Sequence, residues 1–232
     1  MRILITDTTW TMAALTHDLR EAGFLVTGAA DGAEILEYLR TGQQDAVLID
    51  PDLPDMAARD LLRRVREADA RVPLCLVQTD VSRADRQQAM TEGADDVIDW
   101  PRQAGGDLMA RLRAYVRRAR GFARPQIGLG VLTLDLDLRQ VRAGGTLVPL
   151  TRLEYEIVES LALRRGAVMT REEIMLQLYA WEDEPDAKIL DVYLCRIRSK
   201  LAAAGAGGSL IATSYSHGYR LAACPEGLAL AA

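Results

Sequence analysis

Five short apolar segments, each followed by a stretch of helical periodicity, alternate through the first 120 residues. The apolar segments are Ile3–Ile5, Leu25–Gly28, Ala46–Ile49, Leu74–Val77 and Asp96–Ile98. The helical stretches lie near 11–22, 32–41, 56–68, 82–92 and 106–120. Strands that alternate with helices form a parallel sheet covered by helices on both faces. The pattern therefore predicts an α/β domain over 1–120 with a doubly wound, five-stranded parallel sheet.

The second half of the chain has a different pattern, which begins after a Gly- and Pro-containing linker predicted at 121–130. Three short strand candidates come first, the last two joined across two glycines. Two sequences typical of capping boxes then open amphipathic helices, a longer helix follows over about 186–203, and the segment 210–221 can form a hairpin. This order predicts an α+β winged helix-turn-helix domain over 131–223, followed by a tail at 224–232.

Composition excludes several classes of protein. The chain is 49% hydrophobic and 26% charged, as expected of a soluble globular protein. No apolar run approaches the roughly 18–20 residues of a membrane span, and the amino terminus lacks the pattern of a signal peptide, so we expect a cytoplasmic protein without membrane association. The 3 cysteines lie far apart and there are 2 histidines, which disfavours a zinc site or a disulfide framework. No catalytic constellation or nucleotide-binding loop is present, so we expect no enzyme.

Two aspartates follow strands of the predicted sheet: Asp7 after the first and Asp50 after the third. Because ligands of open parallel sheets bind at the carboxyl ends of the strands, these carboxylates are candidates for a site that holds Mg²⁺. An aspartate at a strand end also often caps a helix. Spacing alone leaves both interpretations open.

The motifs IDPDLPDM (49–56) and GADD (93–96), in this order of elements, resemble the receiver domain of OmpR/PhoB-family response regulators. The segment DEPDAKILDVYLCRIRSKL (183–201) is most similar to the CtrA-like branch of that family. The resemblance covers nearly the whole chain. It implies a receiver followed by a winged-helix domain that binds DNA and regulates transcription.

The resemblance implies that Asp50 is the phosphoacceptor and that Asp7 and Asp50 are metal ligands, but parts of the family's site are replaced. Thr6 replaces an acidic residue, Gln78 a hydroxyl residue, and Trp100 the lysine. Loss of a carboxylate weakens Mg²⁺ binding, and loss of the lysine removes the cation that pairs with phosphoryl charge. We therefore expect a degenerate receiver that works without phosphorylation, requires no cofactor and binds Mg²⁺ weakly. The alternative is a conventional regulator controlled weakly through Asp50.

Positive charge is concentrated in the predicted long helix and hairpin. Within 187–220, five basic residues stand against Asp191 alone, which is the charge pattern of a DNA-reading element. The resemblance assigns DNA contacts to Lys188, Asp191, Val192, Cys195, Arg196, Arg198, Ser199 and Lys200, and to Tyr215 in the wing. Arg196 is the candidate for bidentate readout of guanine.

Partners follow from the same resemblance: double-stranded DNA, a second copy of the chain, RNA polymerase and, as an open question, a histidine kinase. The family dimerises through helix 4, strand 5 and helix 5 of the receiver. The candidate interface residues are Asp95 and Asp96, paired with Arg111, Arg117 or Arg118, and Trp181 is the candidate polymerase contact. We expect a dimeric, sequence-specific transcriptional regulator. A further alternative is a protein-interaction adaptor with a vestigial DNA-binding domain.

Overall fold

The structure, a computed structural model, describes residues 1–40, 44–102, 106–164, 166–179, 188–214 and 217–222. The chain divides into two compact units, Met1–Gly121 and Phe122–Ala232. No helix within the described ranges is both long and apolar enough to cross a membrane.

The first unit is a five-stranded parallel sheet with the strand order β2-β1-β3-β4-β5. Its strands are β1 (Arg2–Thr6), β2 (Leu25–Ala29), β3 (Ala46–Ile49), β4 (Leu74–Gln78) and β5 (Asp96–Asp99). Its helices are α1 (Trp10–Glu21), α2 (Gly32–Arg40), α3 (Ala58–Ala68), α4 (Arg83–Thr91) and α5 (Gly106–Ala119). The predicted doubly wound sheet is confirmed.

Burial on both faces of this sheet explains why the strand segments are apolar at consecutive positions. One apolar cluster packs residues of α1 and α5 against the sheet, and a second packs residues of α2, α3 and α4 against the other face. The strand order puts β1 and β3 side by side at the centre. Their carboxyl ends, followed by Asp7 and Asp50, therefore meet at the edge where ligands of such sheets bind.

In its described residues the second unit contains two sheets and three α-helices. The antiparallel sheet consists of β6 (Gln126–Leu129), β7 (Leu132–Asp135), β8 (Gln140–Ala143) and β9 (Thr146–Val148). The helices α6 (Arg152–Leu163), α7 (Arg171–Tyr179) and α8 (Ile189–Ala203) follow, and a hairpin of β10 (Ile211–Ser214) and β11 (Gly218–Leu221) forms the wing. This is the predicted winged-helix architecture.

The linker predicted at 121–130 is wrong in part, because β6 lies inside it. Ile127 and Leu129 alternate with exposed residues and are buried in the core of the second unit, where β6 pairs with β7. An alternation of only two apolar residues among glycines is a weak strand signal. Pairing with β7 therefore makes this segment a strand, although its local sequence is a weak strand signal.

Local sequence explains one hairpin turn and the starts of two helices in the second unit. Gly144 and Gly145 both have positive φ and join β8 to β9, as predicted for a two-residue hairpin. The two predicted caps are also present: Glu154 accepts from the Thr151 N–H at 2.7 Å, and Glu173 accepts from the Thr170 N–H at 2.7 Å.

Candidate DNA-binding surface and receiver site

Asp50 lies at the carboxyl end of β3 with both carboxylate oxygens hydrogen-bonded. The Thr9 hydroxyl donates to Oδ2 at 2.5 Å, and the Asp52 N–H donates to Oδ1 at 2.8 Å. Thr9 is also the N-cap of α1, where its hydroxyl oxygen accepts from the Met12 N–H. Asp50 is 5% exposed, so its negative charge is stabilised by protein donors rather than by bulk water.

Thr6 is the last residue of β1 and Asp7 follows it, and the two side chains differ in their exposure to solvent. Thr6 is fully buried, and its hydroxyl oxygen accepts from the Asp50 N–H at 2.8 Å. Asp7 is exposed and lines a shallow depression with Asp52 and Pro54. Within the described residues no three His, Cys, Asp or Glu side chains form a group that could hold a metal ion. Thr6 thus offers a buried hydroxyl at this edge of the sheet, whereas carboxylate oxygens are the ligands that Mg²⁺ prefers.

Gln78 is the last residue of β4 and Trp100 directly follows β5, and neither presents a hydroxyl or an ammonium group at this edge of the sheet. Gln78 is half-buried and lines a depression with Asp85 and Gln88 of α4. The Trp100 side chain is 4% exposed and packs in the apolar cluster that includes Leu108 and Met109 of α5. Gln78 thus presents an amide at the end of β4, and Trp100 belongs to the core.

Asp96 is the centre of a polar cluster that joins α4, β5 and α5. Its carboxylate accepts from the Tyr115 hydroxyl at 2.8 Å, pairs with Arg86 at 3.4 Å, and contacts the Arg111 guanidinium. Asp96 and Arg111 therefore already pair within the first unit, and their pairing between two copies of the chain stays a prediction. Adjacent elements of one fold bring the two charges together without a partner.

The other predicted interface residues separate into two groups. Asp95 accepts from Arg66 at 2.6 Å and from the Leu74 N–H at 2.8 Å, so its charge is also satisfied inside the receiver. Arg117 is 9% exposed, whereas Arg118 is exposed and forms no ion pair with a residue that the structure describes. A role for any of these residues at an interface between two copies stays a prediction.

Helix α8 has the two faces that its sequence predicts. Leu190, Leu194, Ile197 and Leu201 are at most 1% exposed and anchor the helix in the core. The exposed face carries Lys188, Val192, Cys195, Arg196 and Ser199. Arg196 makes no hydrogen bond or ion pair with any other described residue, so its five N–H donors are directed at solvent. A helix anchored on one side, with a cationic reading face on the other, is suited to the major groove.

Asp191 is exposed on the same helix but its carboxylate is held by two neighbours. Arg171 donates from Nη2 to Oδ1 at 2.8 Å and from Nη1 to Oδ2 at 3.2 Å, and the Tyr219 hydroxyl donates to Oδ1 at 3.0 Å. The hydrogen bonds from Arg171, followed by that from Tyr219, keep the pKa of Asp191 below its usual value. Asp191 is thus bound within the domain, although sequence resemblance assigns it to a base edge.

Arg198 and Lys200 also have partners inside the domain. Arg198 donates to the Ile211 carbonyl at 2.8 Å and to the Thr213 hydroxyl at 2.8 Å, which ties α8 to the wing. Lys200 donates to Glu154 at 2.6 Å, which ties α8 to α6. These contacts agree with an orienting role. Contact of either residue with phosphate stays a prediction.

Two predicted contacts, Tyr215 and Trp181, lie outside the described residues. Two residues of these sites were not identified from the sequence: Thr9, which donates to Asp50, and Arg171, which donates to Asp191. The only sequence signals were their places at the starts of helices, where Thr9 is an N-cap and Arg171 follows the cap Thr170. Neither place indicates a partner 41 or 20 residues away along the chain.

Comparisons with known proteins match both units. A family profile described as "Response regulator receiver domain" matches residues 3–113, and one described as "Transcriptional regulatory protein, C terminal" matches residues 145–221. The chain is 34% identical over 219 residues to the cell cycle transcriptional regulator CtrA of Caulobacter vibrioides, covering 94% of each chain. It is 33% identical over 219 residues to the cell cycle response regulator CtrA of Brucella ovis, again covering 94% of each.

Proposed function

The chain belongs to the response-regulator family that joins a receiver domain to an OmpR/PhoB-type transcriptional regulatory domain, and on that premise we propose that it binds specific duplex sequences as a dimer without requiring phosphorylation of Asp50. Membership of this family makes it a transcriptional regulator with a DNA-binding domain. Sequence specificity, the dimer and independence from phosphate are the parts we propose.

The exposed face of α8 is the observation that carries specific DNA binding. Val192 is 45% exposed and offers an apolar contact for a thymine methyl group, and Arg196 offers a guanidinium fork for guanine. Lys188 and Ser199 flank this pair on the exposed face and suit phosphate contacts. Asp191, Arg198 and Lys200 hold the helix in place through contacts inside the domain.

The test is to select duplexes from a random pool with the full-length protein and to measure the affinity of the selected duplex against a random-sequence duplex. Arg196→Ala should weaken specific binding by about 1–3 kcal/mol and relax preference at one base position. Arg142→Ala is the matched control, because Arg142 is an exposed arginine of β8 that bonds the Gly145 carbonyl. Failure of the wild type to prefer any duplex would favour the adaptor alternative.

The environment of Asp50 supports independence from phosphorylation. A phosphoryl group on Asp50 would displace the Thr9 hydroxyl or the Asp52 N–H from its carboxylate oxygens. No lysine stands at position 100 to pair with the added charge, and Gln78 offers an amide in place of a hydroxyl. Mg²⁺ binding is weak by the same reasoning, because Thr6 contributes a buried hydroxyl in place of a carboxylate.

The test is intact mass and DNA affinity of the protein with and without Mg²⁺ and a small phosphodonor such as acetyl phosphate. We expect no mass increase and tight specific binding from the outset. Asp50→Asn identifies any uptake at that residue, and it should leave affinity unchanged. Phosphate uptake at Asp50 with a tenfold gain in affinity, about 1.4 kcal/mol, would support the conventional alternative instead.

The proposed dimer face is formed by α4, β5 and α5. Asp96 and Arg111 hold these elements together within one protomer, so contact with a second copy depends on neighbouring exposed groups. Met90 is 46% exposed, one helical turn after Arg86, and Arg118 is exposed on α5. Sedimentation velocity tests this: Met90→Glu with Arg118→Glu should convert a dimer to a monomer, whereas the same change at Arg59 of α3 should not.

A further inference from the structure

Arg171, Asp191 and Tyr219 form a closed hydrogen-bonded cluster that joins three elements of the second unit. Arg171 is the first residue of α7, Asp191 lies in the first turn of α8, and Tyr219 lies on β11. Arg171 donates two hydrogen bonds to the Asp191 carboxylate and one to the Tyr219 hydroxyl, the latter at 2.8 Å. The Tyr219 hydroxyl in turn donates to Asp191 at 3.0 Å. The guanidinium also lies 5.8 Å from the centroid of the Tyr219 ring.

The cluster is anchored at one end and borders the reading face at the other. Tyr219 is 6% exposed, and its backbone forms a two-way bridge with Met169, with both N–H···O distances at 2.8 Å. Asp191 directly precedes Val192 on α8, four residues before Cys195 and five before Arg196. A two-point arginine–carboxylate contact fixes angle as well as distance, so the start of α8 is held at a set orientation to the wing.

We propose that Arg171, Asp191 and Tyr219 are positioning residues that set the orientation of α8 relative to the wing, so that Asp191 acts on DNA recognition through Arg171 rather than by contacting a base. This inference rests on the proposed function, in which α8 reads DNA. Bidentate base contacts need donor and acceptor atoms within a few tenths of an ångström of their ideal places, whereas non-specific binding needs only positive charge near phosphates. Loosening the cluster should therefore reduce specific binding far more than non-specific binding.

The charges of the two residues make the proposal sharply testable. Arg171→Gln removes a positive charge and Asp191→Asn removes a negative one. If charge alone mattered, Arg171→Gln would lower the affinity for DNA and Asp191→Asn would raise it. Under the proposal both variants weaken specific binding in the same direction, by about tenfold, because each breaks the same contact. The double variant should also lose about tenfold, since the contact can be lost only once.

The experiment uses the full-length protein, a duplex selected from a random pool by the wild type, and a random-sequence duplex. The ratio of the two affinities is measured for the wild type, both single variants and the double variant. Arg142→Gln is the matched control and should leave the ratio unchanged. Circular dichroism and urea midpoints verify folding, and Tyr219→Phe, which removes only a hydroxyl, provides a milder variant with an expected loss of about threefold in the ratio.

Two results would overturn the proposal. One is additive loss, with the double variant about a hundredfold weaker, which would mean that Arg171 and Asp191 act independently. The other is a changed base preference in Asp191→Asn alone, which would mean that Asp191 contacts a base. If the single variants fail to fold, an unchanged ratio in Tyr219→Phe overturns it. A wild type without preference for any duplex would instead remove the proposed function itself.

Discussion

Replacing Asp96 by asparagine should destabilise the receiver, because this side chain is the shared acceptor of α4, β5 and α5. It accepts from the Tyr115 hydroxyl, Arg86 and Arg111, and its side chain is 10% exposed. Asparagine keeps one acceptor oxygen and loses the charge. Breaking a buried pair costs about 3–5 kcal/mol, but the Arg86 and Arg111 side chains are 41% and 24% exposed and regain water. The expected loss in the free energy of unfolding is therefore about 2–3 kcal/mol.

Asp107→Asn is the matched control, because Asp107 also faces Arg111. Its carboxylate is 75% exposed and lies 3.7 Å from the same guanidinium. Exposed pairs of this kind contribute about 0–0.5 kcal/mol, since water screens them and long side chains lose entropy. The comparison changes burial while keeping the chemical substitution and one partner constant.

The assay is urea denaturation followed by tryptophan fluorescence. In a background with Trp10→Phe and Trp181→Phe, the buried Trp100 reports unfolding of the receiver. With a slope of about 1–3 kcal/mol per molar urea, Asp96→Asn should lower the midpoint by about 0.7–3 M. The loss should not depend on protein concentration, because the contacts lie within one protomer. Equal losses in Asp96→Asn and Asp107→Asn, or a loss that vanishes on dilution, would refute the assignment.

Three further predictions concern the second unit. Gly218→Ala should destabilise it by about 2 kcal/mol or more and abolish specific binding, measured by urea midpoint and DNA affinity, because Gly218 has φ of 129° and an added Cβ would overlap the Met169 carbonyl. Burial acts to raise the pKa of Glu154, but Lys200 and the Thr151 N–H hold that pKa below its usual value. The contribution of Glu154 to stability is therefore present above the usual glutamate pKa and is lost as pH falls through the lower pKa of the folded state. Glu154→Gln should make the urea midpoint fall less steeply as the pH is lowered from 7. Alkylation of the exposed Cys195, followed by peptide mass, should be slowed by the selected duplex but unaffected by the random one.

The sequence determines the architecture of both units through the spacing of its apolar residues and through the turn and capping residues between the elements. Continuous apolar runs separated by helical patterns predict a parallel sheet, and the observed strands differ from the predicted ones by a residue or two at their ends. The strand β6 is the exception. Its residues Ile127 and Leu129 become a strand because β7 supplies the pairing partner and the core supplies burial.

Sequence spacing also determines which face of α8 is buried, because positions three and four apart lie on one side of a helix. What spacing does not encode is the partner of each charge. Arg196 and Asp191 are both exposed on α8, yet Arg196 has no partner within the described residues while Asp191 is held by Arg171, 20 residues earlier.

In the receiver, too, the sequence indicates the residue while the tertiary structure decides its partner. Asp50 could be recognised from its motif, but its hydrogen bond to Thr9, 41 residues away, exists only because β1 and β3 are adjacent in the sheet. Lys200 likewise finds Glu154 across 46 residues of chain. Local sequence specifies the elements and their faces, since those depend on neighbours within a few residues. Only the packing of distant elements decides which carboxylates and cations neutralise each other, and therefore which remain free for DNA.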